Sequence, residues 1–198
     1  MNIRIENEDS SSIEAYASVP IAFEVASVFD VEHAASAEQS PIVVERTLDV
    51  SYIKDYDSVW GDGPVEWLHR FDVSGWHFLA AYVDGKRVGG AVVIMRAPDV
   101  EMLEGRDDLA ILWDIRVAPS HRSHGIGSAL IDAAEKLAAE RGASVIKVET
   151  QNINVPACRF YESRGFELKF ANARIYPDLP HEVQFLLYKT LDQRAINR

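Results

Sequence analysis

The run His121-Arg122-Ser123-His124-Gly125-Ile126-Gly127-Ser128-Ala129-Leu130 constrains the fold more than any other stretch, because it joins a strand to a helix through a turn suited to an anion. Before it, Ile111-Leu112-Trp113-Asp114-Ile115-Arg116-Val117 is β-branched and aromatic, and Ala118-Pro119-Ser120 closes it. After it, Ile126, Ala129, Leu130, Ala133, Ala134, Leu137 and Ala138 recur at helical spacing up to a basic stop at Arg141-Gly142. Gly125 and Gly127 allow the backbone to approach a ligand closely. The first helical amides, unpaired at the positive end of the macrodipole, favour phosphate or pyrophosphate. Two glycines also serve as a plain tight connection. A dinucleotide fingerprint would need Gly or Ala where Leu130 stands, and a P-loop would need Gly-Lys-Ser/Thr; neither is present.

The rest of the chain supplies a mixed α/β order. Residues 1–18 are polar and acidic and read as a loose lead-in. Short strands are expected at Ile21–Val25 and Pro41–Leu48, with a loop or weak helical turn from Val31 to Ser40. Gly61-Asp62-Gly63-Pro64 is a turn cluster, followed by a short helix over Val65–Phe71. Acids and aromatics interleave over residues 52–71, as a wall for a cationic substrate or a partly exposed helix pair would require. Two apolar runs around Asp84-Gly85-Lys86 predict a hairpin, and Pro98 to Asp108 a polar loop. Ser144–Thr150 is a strand parallel to the one ending at Val117, reached by a right-handed crossover. Asn154 caps a helix with Pro156 in its first turn and Gly165 at its end, and two strands over 166–170 and 183–188 precede a tail from Asp192 to Arg198.

Arg122-x-x-Gly125-x-Gly127 after a strand resembles the acyl-CoA signature of the GNAT superfamily of N-acetyltransferases. The segment from Glu149 to Phe166, with Asn154-x-x-Ala157, Phe160-Tyr161 and Gly165-Phe166, resembles a second GNAT segment in the right order. The resemblance covers roughly residues 76–190. Pro20–Val25, Tyr52-Ile53-Lys54 and the Glu149-Thr150-Gln151-Asn152 run further resemble the streptothricin acetyltransferase branch.

The resemblance implies one GNAT-like domain over residues 1–198. It implies a mixed, mostly antiparallel central sheet with a parallel strand pair around the acyl-CoA site and helices on both faces. It implies acetyl-CoA as donor, held by Ile115, Arg116, Val117, Arg122, Ser123, His124, Gly125, Ile126, Gly127, Ser128, Asn154, Ala157 and Tyr161. A protonated amine has no lone pair, so direct attack on the thioester needs a carboxylate base. Asp114, sharing a strand face with Arg116, and Glu149, at the end of the next strand, are the two candidates; each is equally a carboxylate paired with a neighbouring cation. In the family a backbone amide, here near Val117, binds the oxyanion, and Tyr161 matches the tyrosine that protonates the leaving thiolate. The implied acceptor is a small cationic amine. A protein N-terminus or lysine is the second reading, and a non-catalytic acyl-CoA sensor the third. Homodimers are common in the family.

Composition sets further bounds. A net charge of −11 disfavours nucleic acid and anionic membranes as partners. Residues 1–114 carry −14 and residues 115–198 carry +3, so the basic half holds the anion turn. No apolar run is long enough to span a bilayer and no signal-peptide pattern opens the chain, so a cytoplasmic location is expected. Cys158, the single cysteine, lies within a predicted helix and reads as a small buried residue rather than an acetyl carrier. His121 and His124 border the turn either as phosphate contacts or as exposed loop side chains. No His, Asp or Glu set has metal-ligand spacing.

Overall fold

The computed structural model describes residues 1–32, 40–59, 61 and 63–192. Of the sequence expectations, most of the 31–40 segment, Asp62 in the turn cluster and the tail beyond Asp192 lie outside the described residues. Two compact units make up the chain. The first comprises Met1–Ala22, Asp55–Ile146 and the segment from Thr190, and the second Phe23–Lys54 and Lys147–Lys189.

In the first unit, β1 (Ile3–Glu8), β4 (His77–Val83), β5 (Lys86–Ile94) and β6 (Leu109–Val117) pair antiparallel in that order. The loose lead-in expected over residues 1–18 is therefore corrected: Ile3-Arg4-Ile5-Glu6 alternates and pairs with β4, and α1 (Ile13–Ala17) follows. Its acids hid a strand that lies at the sheet edge, where one side of the backbone stays unpaired and charge is common. The β4–β5 hairpin turns at Asp84 and Gly85, whose φ values of 50° and 76° are those of a two-residue turn with both central residues left-handed. The polar loop expected over 98–108 contains one short 3₁₀ turn, Glu101–Leu103, anchored by the buried Val100 and Leu103.

The short helix expected over Val65–Phe71 is α2 (Trp67–Arg70), preceded by a 3₁₀ turn at Pro64–Glu66, and helix α3 (Ile126–Glu140) packs on this sheet through Ile126, Leu130, Ile131, Ala134 and Leu137. The strand positions Gly89 and Gly90 project to opposite faces. A Cβ at Gly89 would meet Ile126 and Leu130 of α3, whereas one at Gly90 would stand 2.6 Å from the Tyr16 ring of α1. Helices therefore cover both faces. The Ser144 and Val145 amides both donate to the Asp108 carbonyl, at 2.8 and 3.2 Å, just before β6 begins. β7 (Val145–Gln151) thus starts beside the start of β6, and the two form the parallel pair of an otherwise mostly antiparallel fold.

In the second unit, β2 (Phe23–Glu32) and β3 (Ile42–Lys54) form a two-stranded antiparallel ribbon, longer than the apolar runs suggest because polar residues alternate through β3. β8 (Glu167–Asn172) and β9 (Gln184–Thr190) pair antiparallel, and α4 (Val155–Ser163) lies against β2 and β8. Buried Asn152 ties these parts together. Its Nδ2 donates to the Phe29 carbonyl at 3.0 Å and its Oδ1 accepts from the Val183 amide at 2.7 Å.

Candidate functional site

The anion turn is built as its sequence suggests. β6 ends at Val117, a 3₁₀ turn spans Pro119–His121, and Ser123 and Gly125 take φ values of 62° and 83° before α3 begins. The first bond of α3 at this end is Ala129 N to Gly125 O at 3.0 Å, so the Ile126, Gly127 and Ser128 amides precede the helical ladder. No acidic side chain occupies that first turn, and among the described residues nothing lies within 4 Å of where a Gly125 Cβ would stand. Amides that precede the ladder at a helix N-terminus suit an anion such as pyrophosphate.

Arg122, expected among the acetyl-CoA-binding residues, hydrogen-bonds two backbone carbonyls. Its Nε donates to the Val117 carbonyl at 3.0 Å and its Nη2 to the Ala22 carbonyl at 2.8 Å. It clamps the end of β6 to residues 21–22, half buried, and its Nη1 makes no hydrogen bond among the described residues. His124 Nδ1 lies 2.6 Å from the Arg122 carbonyl, and His121 Nδ1 lies 2.9 Å from Ser120 Oγ, so both rings are bound within the turn. Ile115, Arg116 and Val117 stand opposite Ala91, Gly90 and Gly89, and Trp113 is the extra residue of a bulge between the Asp114–Val92 and Leu112–Val93 pairs.

Asp114 sits in a closed ion cluster. Arg116, whose side chain is 0% exposed, donates from Nε to Asp114 Oδ1 at 3.0 Å and from Nη2 to Oδ2 at 2.8 Å. The same guanidinium reaches Asp57 at 2.8 and 3.1 Å and the Val19 carbonyl at 3.1 Å, over the face of Tyr16. The Tyr16 hydroxyl donates to Asp114 Oδ1. Burial alone would lower the Arg116 pKa, but Asp114, Tyr16 and Asp57 carry it above its ordinary value. Burial, then the Asp114 charge, pushes the Tyr16 phenol well above the usual tyrosine range. Both oxygens of Asp114 are thus engaged by a buried cation.

Glu149, in the second unit, has a different setting. Its Oε1 accepts from the Tyr176 hydroxyl at 2.5 Å and its Oε2 from Gln184 Nε2 at 2.8 Å. Gln151 Nε2 donates in turn to the Tyr176 oxygen at 2.9 Å. These partners are all neutral. Along α4, Asn154 Oδ1 accepts from the Ala157 amide at 3.2 Å, which caps the helix as expected. Tyr161 is 5% exposed, and its ring packs against Phe160 and Phe166. Cys158 is buried, and burial pushes its thiol up to about 12.

Sequence reasoning missed Tyr16 and Asp57 around Arg116, and Tyr176 and Gln184 around Glu149. Tyr16 lies 98 positions from Asp114, and Tyr176 lies 27 from Glu149 in a turn segment with no periodic signal. The acid and aromatic interleaving of residues 52–71 pointed at the region of Asp57 without singling it out.

Residues 45–166 match the model of the acetyltransferase (GNAT) family. Over 147 residues the chain is 29% identical to the streptothricin acetyltransferase of Streptomyces lavendulae, covering 74% of this chain and 74% of that relative. The crystal structure of a nourseothricin acetyltransferase superposes with a TM-score of 0.75 at 25% identity, over 97% of this chain and 100% of the other. A structure described as a streptothricin acetyltransferase from Bacillus anthracis str. Ames, in complex with acetyl coenzyme A, superposes with a TM-score of 0.76. It covers 96% of this chain and 99% of that one; at 21% identity this likeness concerns the fold.

Proposed function

The chain belongs to the acetyltransferase (GNAT) family, and on that premise we propose that it acetylates a primary amine on a small cationic acceptor of the streptothricin class. It is an acetyl-CoA-dependent N-acetyltransferase. The observation that carries the acceptor class is the similarity to the Streptomyces lavendulae streptothricin acetyltransferase across 74% of both chains.

The donor's pyrophosphate is held by the amides of Gly125, Ile126, Gly127 and Ser128, with Ser123 and His124 at the rim and Arg122 acting through the turn it clamps. Ile115, Arg116 and Val117 form the strand edge along which the acyl arm lies, the amide near Val117 polarises the thioester carbonyl, and Asn154 and Ala157 contribute from the start of α4. Glu149 is the base. Asp114 is less suited, because its lone pairs are directed at the Arg116 guanidinium and the Tyr16 hydroxyl. Among the described residues Glu149 has two neutral donors and no cation as hydrogen-bond partners.

Glu149 takes one proton from the ammonium, and the neutral nitrogen attacks the thioester carbonyl carbon. The N–C bond forms and the C–S bond breaks with its electron pair on sulfur. Tyr161 gives that sulfur a proton, the second nitrogen proton restores the tyrosine through solvent, and Glu149 releases the first proton to water as the net H+ of the reaction. The acidic N-terminal half raises the local concentration of the cationic acceptor. We place the reaction in the cytoplasm, and the family resemblance gives a homodimer as one assembly to test.

The test is CoA release from acetyl-CoA with streptothricin, spermidine, kanamycin and a lysine-containing peptide as acceptors. The proposal expects the highest kcat/KM with streptothricin. Preference for the peptide would replace it with a protein acceptor.

A further inference from the structure

We propose that Tyr176 is a positioning residue for the reaction, setting the orientation of the Glu149 carboxylate; this rests on Glu149 as the base.

The direction of the hydrogen bonds carries the argument. A carboxylate has no proton to give, so the 2.5 Å contact between Tyr176 and Glu149 Oε1 requires the tyrosine hydroxyl to donate. Its single proton is then committed, and its oxygen can only accept, which it does from Gln151 Nε2 at 2.9 Å. The chain Gln151 to Tyr176 to Glu149 therefore runs one way. Gln184 Nε2 fixes the other carboxylate oxygen at 2.8 Å. With one donor on each oxygen the carboxylate plane is defined, and the remaining lone pairs have a set direction. A base must meet its proton within hydrogen-bond reach and at a suitable angle, so a carboxylate free to rotate would lose rate.

Tyr176 is itself held firmly. Its carbonyl accepts from the Leu179 amide at 3.1 Å, and the Leu179 carbonyl accepts from the Glu182 amide at 2.9 Å, which makes two successive turns. Glu182 forms an ion pair with Lys54 at 2.5 Å, both side chains about one-tenth exposed, and the next amide, of Val183, donates to buried Asn152. A partly buried pair of this kind holds a segment more effectively than an exposed one. The turn segment over residues 176–183 thus carries a hydroxyl to the end of β7 with little freedom.

A double-mutant cycle tests this. Wild type, Tyr176→Phe, Glu149→Gln and the double variant are assayed with acetyl-CoA and whichever of streptothricin, spermidine, kanamycin or the lysine peptide the wild type turns over fastest. Glu149→Gln should lower kcat by roughly a hundredfold or more. Tyr176→Phe should lower kcat by about tenfold, with an unchanged KM for acetyl-CoA. The double variant should match Glu149→Gln alone, because a residue acting through Glu149 has nothing left to position. Multiplying losses, or full kcat in Tyr176→Phe, would overturn the positioning role and leave the base in place. Full kcat in Glu149→Gln would overturn the base and the inference with it.

Discussion

Arg116 and Asp114, two positions apart on β6, are joined by two parallel hydrogen bonds, Nε to Oδ1 at 3.0 Å and Nη2 to Oδ2 at 2.8 Å. The guanidinium is fully buried, and Asp57 and the Tyr16 ring enclose the rest of it. This geometry separates two carboxylates that look alike in the sequence. Asp114 is part of the frame of the first unit, and the proposal gives the proton-accepting role to Glu149. Asp114→Asn should therefore act on folding. Weakening a buried charge-assisted pair while Asp57 remains should cost roughly 2–3 kcal/mol. Urea unfolding measures that loss, and kcat per folded molecule should stay within a few-fold of wild type.

The anion turn predicts a specific failure. Gly125 has a φ of 83° with nothing near its missing Cβ, so an alanine there meets only backbone strain of about 1 kcal/mol. Glutamate adds a negative charge among the amides of α3 and should abolish CoA binding by calorimetry. Alanine binding CoA while glutamate does not would separate strain from charge; unchanged affinity in Gly125→Glu would remove the turn as the donor site.

Tyr161 is buried against Phe160 and Phe166, and a substitution that keeps the ring tests the proton-donor role proposed for its hydroxyl. Tyr161→Phe should reduce kcat by roughly ten- to a hundredfold while KM for acetyl-CoA changes little. Steady-state kinetics check it. A variant with full kcat would leave Tyr161 as a packing residue.

Cys158 provides a pH test. Burial raises its thiol from an ordinary 9.0 to about 12 in the folded protein. Below pH 9 the folded and unfolded chains are both protonated there, and the stabilising contribution is complete. As pH rises from 9 towards 12, only the unfolded chain ionises, and stability is lost. Between pH 8 and pH 10 the wild type should lose about 1 kcal/mol more than Cys158→Ala in urea titrations. Full turnover by Cys158→Ala would agree with direct attack and exclude an acetyl-cysteine route.

Much of this was legible along the chain wherever one residue's role depends on its near neighbours. The Gly125 turn, the α3 stripe and the Asn154 cap all act over a few positions, and they form as their spacing dictates. The edge strand β1 escaped notice because Arg4, Glu6 and Glu8 dominate a segment whose Ile3 and Ile5 alternate correctly. The pairing of Arg122 with Ala22 and of Tyr176 with Glu149 joins residues far apart in sequence, and no local pattern encodes such contacts. Arg122 shows this: its place in the signature points to the donor site, and its hydrogen bonds tie together the Val117 and Ala22 carbonyls.

The most direct test is the mass spectrum of streptothricin after incubation with the enzyme and acetyl-CoA. A single added acetyl group on an amine, formed in step with CoA release and lost in Glu149→Gln, is the predicted result. Unmodified streptothricin alongside an acetylated peptide amine would contradict the account.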